Sequence, residues 1–488
     1  EKARSWAGFL HALHASLYTI TPVSRSLASA RRLLTTSAMD AAALPFRCDA
    51  LHAAYAAGLA PAAVAAEALR RIAAADDPGI FIDVTPEAAL LEAAAALPAF
   101  DPACFPLWGI PVAVKDNIAV AGRPMTAACP AFAHTPAQDA FVVARLRAAG
   151  ALVLGKTNLD QFATGLVGVR TPYPVPRNAV APGHVPGGSS SGSAVAVARG
   201  IVAIALGTDT AGSGRVPAAL NGIVGLKPSV GAVSTSGVVP ACRSLDCVSV
   251  FAATVHDAWA AYRVLAGEDR TDPFSRPIAW REPGVAPGRI AVPAAADLHL
   301  DDAPARSAWE KARALLPVGE EAVITPLIET ARLLYEGPWV AERAAAFGDF
   351  AADHPGALHP VTEAILAGAA RFSAVDAFRG IYELAERRRA AEAFFARFDV
   401  LAVPSVPCFP TLADLEADPF GPNARLGTYT NFVNLLDLAA LALPGPPRPD
   451  GLPAGITLIG PRGSDADLAA LGMLYAARLG ATATAEAA

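Results

Sequence analysis

Short, nearly continuous apolar blocks punctuate this chain. "GIPVAV", "ALVLGK", "GIVAIAL", "NGIVGL", "RIAVPAA", "FDVLAVP" and "AGITLIG" each lie between polar or glycine-rich breaks. Blocks of this length read as buried strands. Longer alanine-rich stretches carry the helical pattern. Residues 49–97 read as mostly helical, with breaks at Gly58 and Pro61. "DAFVVARLRAAG" reads as a helix before the strand "ALVLGK", and "TNLDQFATG" as a helix after it. Residues 301–397 read as helical throughout. This alternation predicts an α/β fold, a mixed or mostly parallel sheet with helices on both faces. No internal repeat or long linker divides the chain, so residues 39–482 read as one domain. The final "ATATAEAA" reads as frayed.

Composition narrows the function classes. Of 488 residues, 53% are hydrophobic, yet no run approaches the ~18 uncharged apolar residues of a membrane span. The net charge of -6 comes without a dense basic patch, which argues against nucleic acid as a partner. The six cysteines form no CxxC pair and the nine histidines no HExxH, so neither a disulfide scaffold nor a metal site is expected. Residues 1–38 stand apart. Lys2, Arg4, Arg25, Arg31 and Arg32 against Glu1 make them +4, and the remainder -10. They read as an N-terminal extension, disordered. It is either an organellar presequence or the product of a misplaced start, with Met39 as the true one. In the second case the protein is cytoplasmic.

The chemistry concentrates in "VPGGSSSGSAVAVARG", residues 185–200. A Gly/Ser linker has no packed flank, whereas an apolar run follows here at once. A phosphate loop needs GxxxxGK[ST], and no Lys follows Gly192. Gly188-Ser189-Ser190-Ser191-Gly192 does match GxSxG. That nucleophile elbow requires a strand directly before it, and Pro182 and Pro186 indicate an extended loop instead. A second serine loop, "GTDTAGSGR", follows an apolar block and holds Ser213 between Gly212 and Gly214. Small residues there let several N–H groups converge on one point, as a tetrahedral oxyanion requires. The base candidate is Lys115, at the end of "GIPVAVK". If buried, it favours the neutral amine and accepts a proton. A neighbouring hydroxyl then carries that proton, giving catalysis without histidine.

Together "VAVKDN", Gly187-Gly188-Ser189-Ser190 and "GTDTAGSGR" resemble the amidase signature family, over about residues 45–475. The resemblance implies Ser213 as nucleophile, Ser189 as a bridging serine after a cis peptide, and Lys115 as general base. It implies an oxyanion hole from the N–H groups of Thr210, Ala211 and Gly212. Ser190 and Ser191 become supporting hydrogen-bonders, and Asp209 and Arg215 structural partners of the loop. No metal or organic cofactor is implied, and homodimers are common in the family.

The segments "KTNLDQFATGLVGVRTPYPVPRN", "GVVPACRSLDCVSVFAATV", "LLYEGPWVAERAAAF", "TYTNFVNLLDLAALALP" and "GLPAGITLIG" resemble the allophanate hydrolase subgroup. That resemblance implies a small anionic substrate, allophanate. Arg343 and Tyr335 would bind it, with the Gly165 backbone facing it. An arginine fork suits a carboxylate. Read without the resemblance, Tyr335 is a packed aromatic and Arg343 a surface partner of Glu342 or another acid. Pro338 suits a helix start, which leaves Tyr335 on a loop edge and Arg343 on the next helix. A urea carboxylase is the implied upstream enzyme. Many allophanate hydrolases carry a C-terminal decarboxylating domain. Only 33 residues follow Gly455, so that domain is not expected here. The rival readings are a broad-specificity amidase and a glutaminase-type component of an amidotransferase.

Overall fold

Eleven strands form one sheet. They are β1 (Phe81–Val84), β2 (Pro111–Lys115), β3 (Leu152–Thr157), β4 (Ile204–Asp209), β5 (Val224–Lys227), β6 (Cys247–Ala252), β7 (Ile290–Pro293), β8 (Gly319–Ala322), β9 (Val400–Pro404), β10 (Leu438–Pro444) and β11 (Gly455–Pro461). Their order is β1-β3-β2-β4-β6-β5-β10-β11-β9-β7-β8. The pairs β2–β3, β2–β4, β7–β8 and β7–β9 are parallel, and the others antiparallel. This computed structural model describes residues 40–486, so the expectations for residues 1–38 lie outside the described residues. From Ala41 onward the described chain packs as one unit.

The sheet is covered on both faces. Val400 and Ala402 of β9 join one apolar core, while Leu401 and Val403 join another. Successive side chains of a strand point to opposite faces, so two cores mean two covered faces. The first core takes in the helices Pro61–Ala75, Ser191–Ala198, Val255–Leu265 and Asp465–Glu486. The second takes in Ala374–Arg397 and Asn431–Leu435. Double burial explains why the central strands show no polar alternation.

Every apolar block quoted above contains a strand. Four strands are not legible in the sequence, however. β1 interrupts the stretch 49–97, and β8 interrupts 301–397. β8 is the sequence "GEEA" at the sheet edge, with two exposed glutamates and no apolar signal. β10, "LAALALP", carries a pattern that suits a buried helix equally well. β6 lies in a segment read only for its resemblance. The helix expected after β3 is a single 3-10 turn, Gln161–Ala163, where Phe162 and Ala163 have positive φ. The tail expected to fray continues the last helix to Glu486.

Candidate active site

The parallel strands β2, β3 and β4 end at one edge of the sheet, in Lys115, Thr157 and Asp209. Ligands of α/β sheets gather at this edge. Lys115 is 0% exposed. Its Nζ donates to Ser189 Oγ at 2.8 Å, Ser190 Oγ at 3.0 Å and Thr208 Oγ1 at 2.8 Å. Among the described residues it has no carboxylate partner. Burial therefore lowers its pKa from 10.5 to about 7, against the weaker upward pull of Asp160, Asp246 and Asp209. An ordinary lysine is charged at neutral pH; this one is poised to accept a proton.

The Gly188–Ser189 peptide is cis. Ser190 precedes the buried helix Ser191–Ala198. Its Oγ donates to the Thr208 carbonyl at 3.2 Å, and Ser191 Oγ to the Asn158 carbonyl at 3.4 Å. The proline-bearing segment before the serines contains no strand, so this is not a nucleophile elbow.

Asp209 gathers the second serine loop. Its carboxylate accepts from the N–H groups of Gly212 at 2.9 Å and Gly214 at 3.0 Å. Arg215 completes the cluster with Nε and Nη2, each at 2.9 Å. Burial raises the Asp209 carboxyl, but Arg215, helped by Lys227 and the Gly214 N–H, more than offsets it and leaves it below its usual value. Gly212 has φ +136°, and a Cβ there would meet Thr430 Oγ1 at 2.3 Å, so glycine is required. One expectation changes here. The Gly212 N–H already serves Asp209. Among the described residues, the loop N–H groups without a hydrogen bond are those of Thr210, Ala211 and Ser213.

Ser213 is buried, and its Oγ donates to the Gly165 carbonyl at 3.4 Å. It makes no hydrogen bond to Ser189 in this structure. Lys115 and Ser189 are thus in contact, while Ser213 is turned toward Gly165. The Gly165 turn is shaped by Asp160, which accepts from the N–H groups of Gly168 and Arg170, each at 2.9 Å. A Cβ on Gly165 would lie 2.5 Å from Asp160 Oδ2.

Arg343 lies on the helix Trp339–Asp353, which starts after Pro338. Tyr335 ends the short helix Arg332–Tyr335, not a loop. The two side chains meet, with Arg343 Nη2 donating to Tyr335 Oη at 3.3 Å. Nη1 donates to Thr164 Oγ1 at 3.1 Å, next to Gly165. Glu342 turns away to Ser244, whose N–H and Oγ donate to it at 2.7 and 2.8 Å. Arg343 is 1% exposed, has no carboxylate partner among the described residues, and leaves Nε unbonded. A buried guanidinium held only by neutral hydroxyls is a ready receptor for an anion.

Four contributors escape the sequence reading: Thr208, Thr164, Asp160 and Asp246. Buried Asp246 accepts from Thr210 Oγ1 and from the Ala241 and Cys242 N–H groups. Burial pushes its carboxyl up to about 6. Thr208 and Thr210 carry a visible signal, as polar residues flanking Asp209 directly after an apolar block. Asp246 is joined to its loop only through the fold.

A family model described as Amidase matches residues 63–469, and the chain belongs to the amidase family. A urea amidolyase of Lachancea kluyveri is 49% identical over 378 residues, covering 76% of this chain and 21% of that protein. The chain thus spans about a fifth of the length of that relative. The structure of Kluyveromyces lactis allophanate hydrolase matches with a TM-score of 0.82 at 41% identity, covering 89% of this chain and 73% of that one. An indoleacetamide hydrolase of Pseudomonas savastanoi is 43% identical over 197 residues, covering 40% of this chain and 42% of that protein.

Proposed function

We propose that this chain hydrolyses the terminal amide of allophanate, releasing ammonia. Ser213 Oγ attacks the carboxamide carbonyl, and its proton passes through Ser189 to the neutral amine of Lys115. For this the Ser213 hydroxyl turns from the Gly165 carbonyl to Ser189. Such contacts often close only once substrate is bound. The N–H groups of Thr210, Ala211 and Ser213 are the donors free to meet the oxyanion. The C–N bond breaks, ammonia leaves with a proton returned by the same relay, and the carbamoyl carbon stays on Ser213. Water then adds to this acyl-enzyme, frees Ser213 and yields N-carboxycarbamate.

The observation that carries the substrate assignment is Arg343, buried and unpaired one residue contact away from the Gly165–Ser213 pair. Allophanate places a carboxylate at one end and an amide at the other. With the carboxylate on Arg343 and Tyr335, the amide reaches Ser213. The same reading has a urea carboxylase supply the substrate. Family resemblance supports a homodimer, located in the cytoplasm unless residues 1–38 are an organellar presequence.

The test is ammonia release by the purified chain from allophanate, glutamine and malonamide in parallel. A preference for allophanate supports the assignment. Turnover of glutamine alone would move the chain to the amidotransferase reading. Turnover of malonamide but not allophanate would leave the serine–lysine machinery standing and refute the carboxylate role of Arg343.

A further inference from the structure

On the far side of Tyr335 lies a cavity of about 510 Å³. Its lining includes Arg170, Arg332, Arg371, Tyr335, Asn423 and Asn431. The lining carries three arginines against one acid, Glu336, within a chain whose net charge is -6. None of these arginines has a carboxylate partner among the described residues. Arg332 donates weakly to the Glu329 carbonyl at 3.4 Å, and Arg371 to the Tyr335 and Glu336 carbonyls at 3.3 and 3.4 Å. Both are exposed. Arg170, 2% exposed, donates to the Thr164 and Pro419 carbonyls at 3.1 and 3.2 Å.

The inner wall of this cavity is the outer wall of the active site. Tyr335 lines the cavity and receives Arg343 on its hydroxyl. Thr164 joins the two buried arginines, its carbonyl to Arg170 and its hydroxyl to Arg343. Asn423 holds the N–H of Leu166, next to Gly165, at 2.8 Å. Asn431 follows Thr430, which packs against Gly212.

We propose that this cavity, with its three arginines, is an outer binding site for small carboxylate anions, beside the active site and separated from it by Tyr335 and Thr164. Exposed Arg332 and Arg371 draw the anion from solvent, and their positive field, with that of buried Arg170, extends across the Tyr335–Thr164 wall to Arg343. A cleft of one sign with low-dielectric walls focuses the field and raises the local concentration of the opposite ion. This role rests on the allophanate reading, and the test separates the two.

The experiment uses a matched pair of amides, malonamate and malonamide, which are alike in size and differ in one negative charge. The readout is the ratio of kcat/KM for the anion to that for the neutral amide. Arg332→Glu is expected to lower this ratio about fivefold at low salt, from reversing one charge near the active site. The difference should collapse at ~0.5 M KCl, where the Debye length is only a few ångströms. Arg389→Glu, on an exposed arginine paired with Glu392 outside the cavity, should leave the ratio unchanged. An unchanged ratio in Arg332→Glu, or an equal fall in Arg389→Glu, overturns the proposal. If the chain hydrolyses malonamide but neither anion, the allophanate reading fails. Inhibition of malonamide hydrolysis by malonamate then decides the cavity. A raised inhibition constant in Arg332→Glu supports it, and an unchanged one rejects it.

Discussion

Lys115 and Lys156 sit on adjacent parallel strands at the same sheet edge, both 0% exposed. Lys156 Nζ lies 2.9 Å from Asp116 Oδ1, and that carboxylate is equally buried. Lys115 meets only three hydroxyls. Burial lowers both pKa values, but at Lys156 the neighbouring charge and hydrogen bond of Asp116 oppose it directly. The arginines divide in the same way. Arg215 is clasped by Asp209, whereas Arg343 faces Thr164 and Tyr335. Burial alone therefore does not mark a functional cation in this protein. Within these two pairs, the cation given a role in the proposed mechanism is the one without a carboxylate, left as a neutral amine or an uncompensated charge. Lys227 and Arg170 are also buried without a carboxylate partner among the described residues, but backbone carbonyls hold them.

The largest effect should come from exchanging the two lysines' fates. Lys115→Met should lower turnover by at least about 10⁴-fold while the chain stays folded, since in the proposed mechanism it removes the base and leaves no buried carboxylate stranded. Lys156→Met should instead cost about 3–5 kcal/mol of stability, read as a lower denaturation midpoint, because buried Asp116 loses its cationic partner and keeps only the Thr126 hydrogen bonds. If Lys156→Met unfolds no more easily than the parent, the distinction between paired and unpaired cations fails.

Next in size is Arg343→Gln. It should lower kcat/KM for allophanate by about 10²-fold relative to malonamide, as expected for losing a buried charge contact. Equal losses on both amides would show that Arg343 supports the fold and does not read the carboxylate.

The smallest effect is a pH profile. The Lys115 pKa near 7 lies below its ordinary value, so the amine is protonated and idle at low pH and free above it. kcat/KM should rise about tenfold per pH unit below 7 and level off above. Stability moves in the same direction. Between about pH 7 and 10.5 the unfolded chain holds a proton that folded Lys115 has released, so this group's contribution to stability improves with rising pH. A profile flat from pH 6 to 8 would place the base elsewhere.

The strands that carry the site are readable because they are buried on both faces, which forces unbroken apolar blocks ending in polar loops. The edge strand β8 is not, since "GEEA" meets solvent and needs no apolar residue. The turn at Gln161–Ala163 reads as a helix in sequence because the carboxylate that bends it, Asp160, works through backbone N–H groups up to ten residues away. Gly212 enters the expected oxyanion hole by resemblance, whereas its N–H belongs to Asp209.

By itself the sequence determined which residue types were available for the reaction: a lysine ending an apolar block, two glycine-lined serine loops, and an arginine eight residues after a tyrosine. Those follow from local pattern and small-residue geometry. Only the tertiary structure decided which charges have partners. Lys115 lies 74 residues from Ser189, and Arg343 lies 179 from Thr164. Whether a buried cation is neutralised depends on what other strands and loops bring within a few ångströms, and no local pattern encodes that distance.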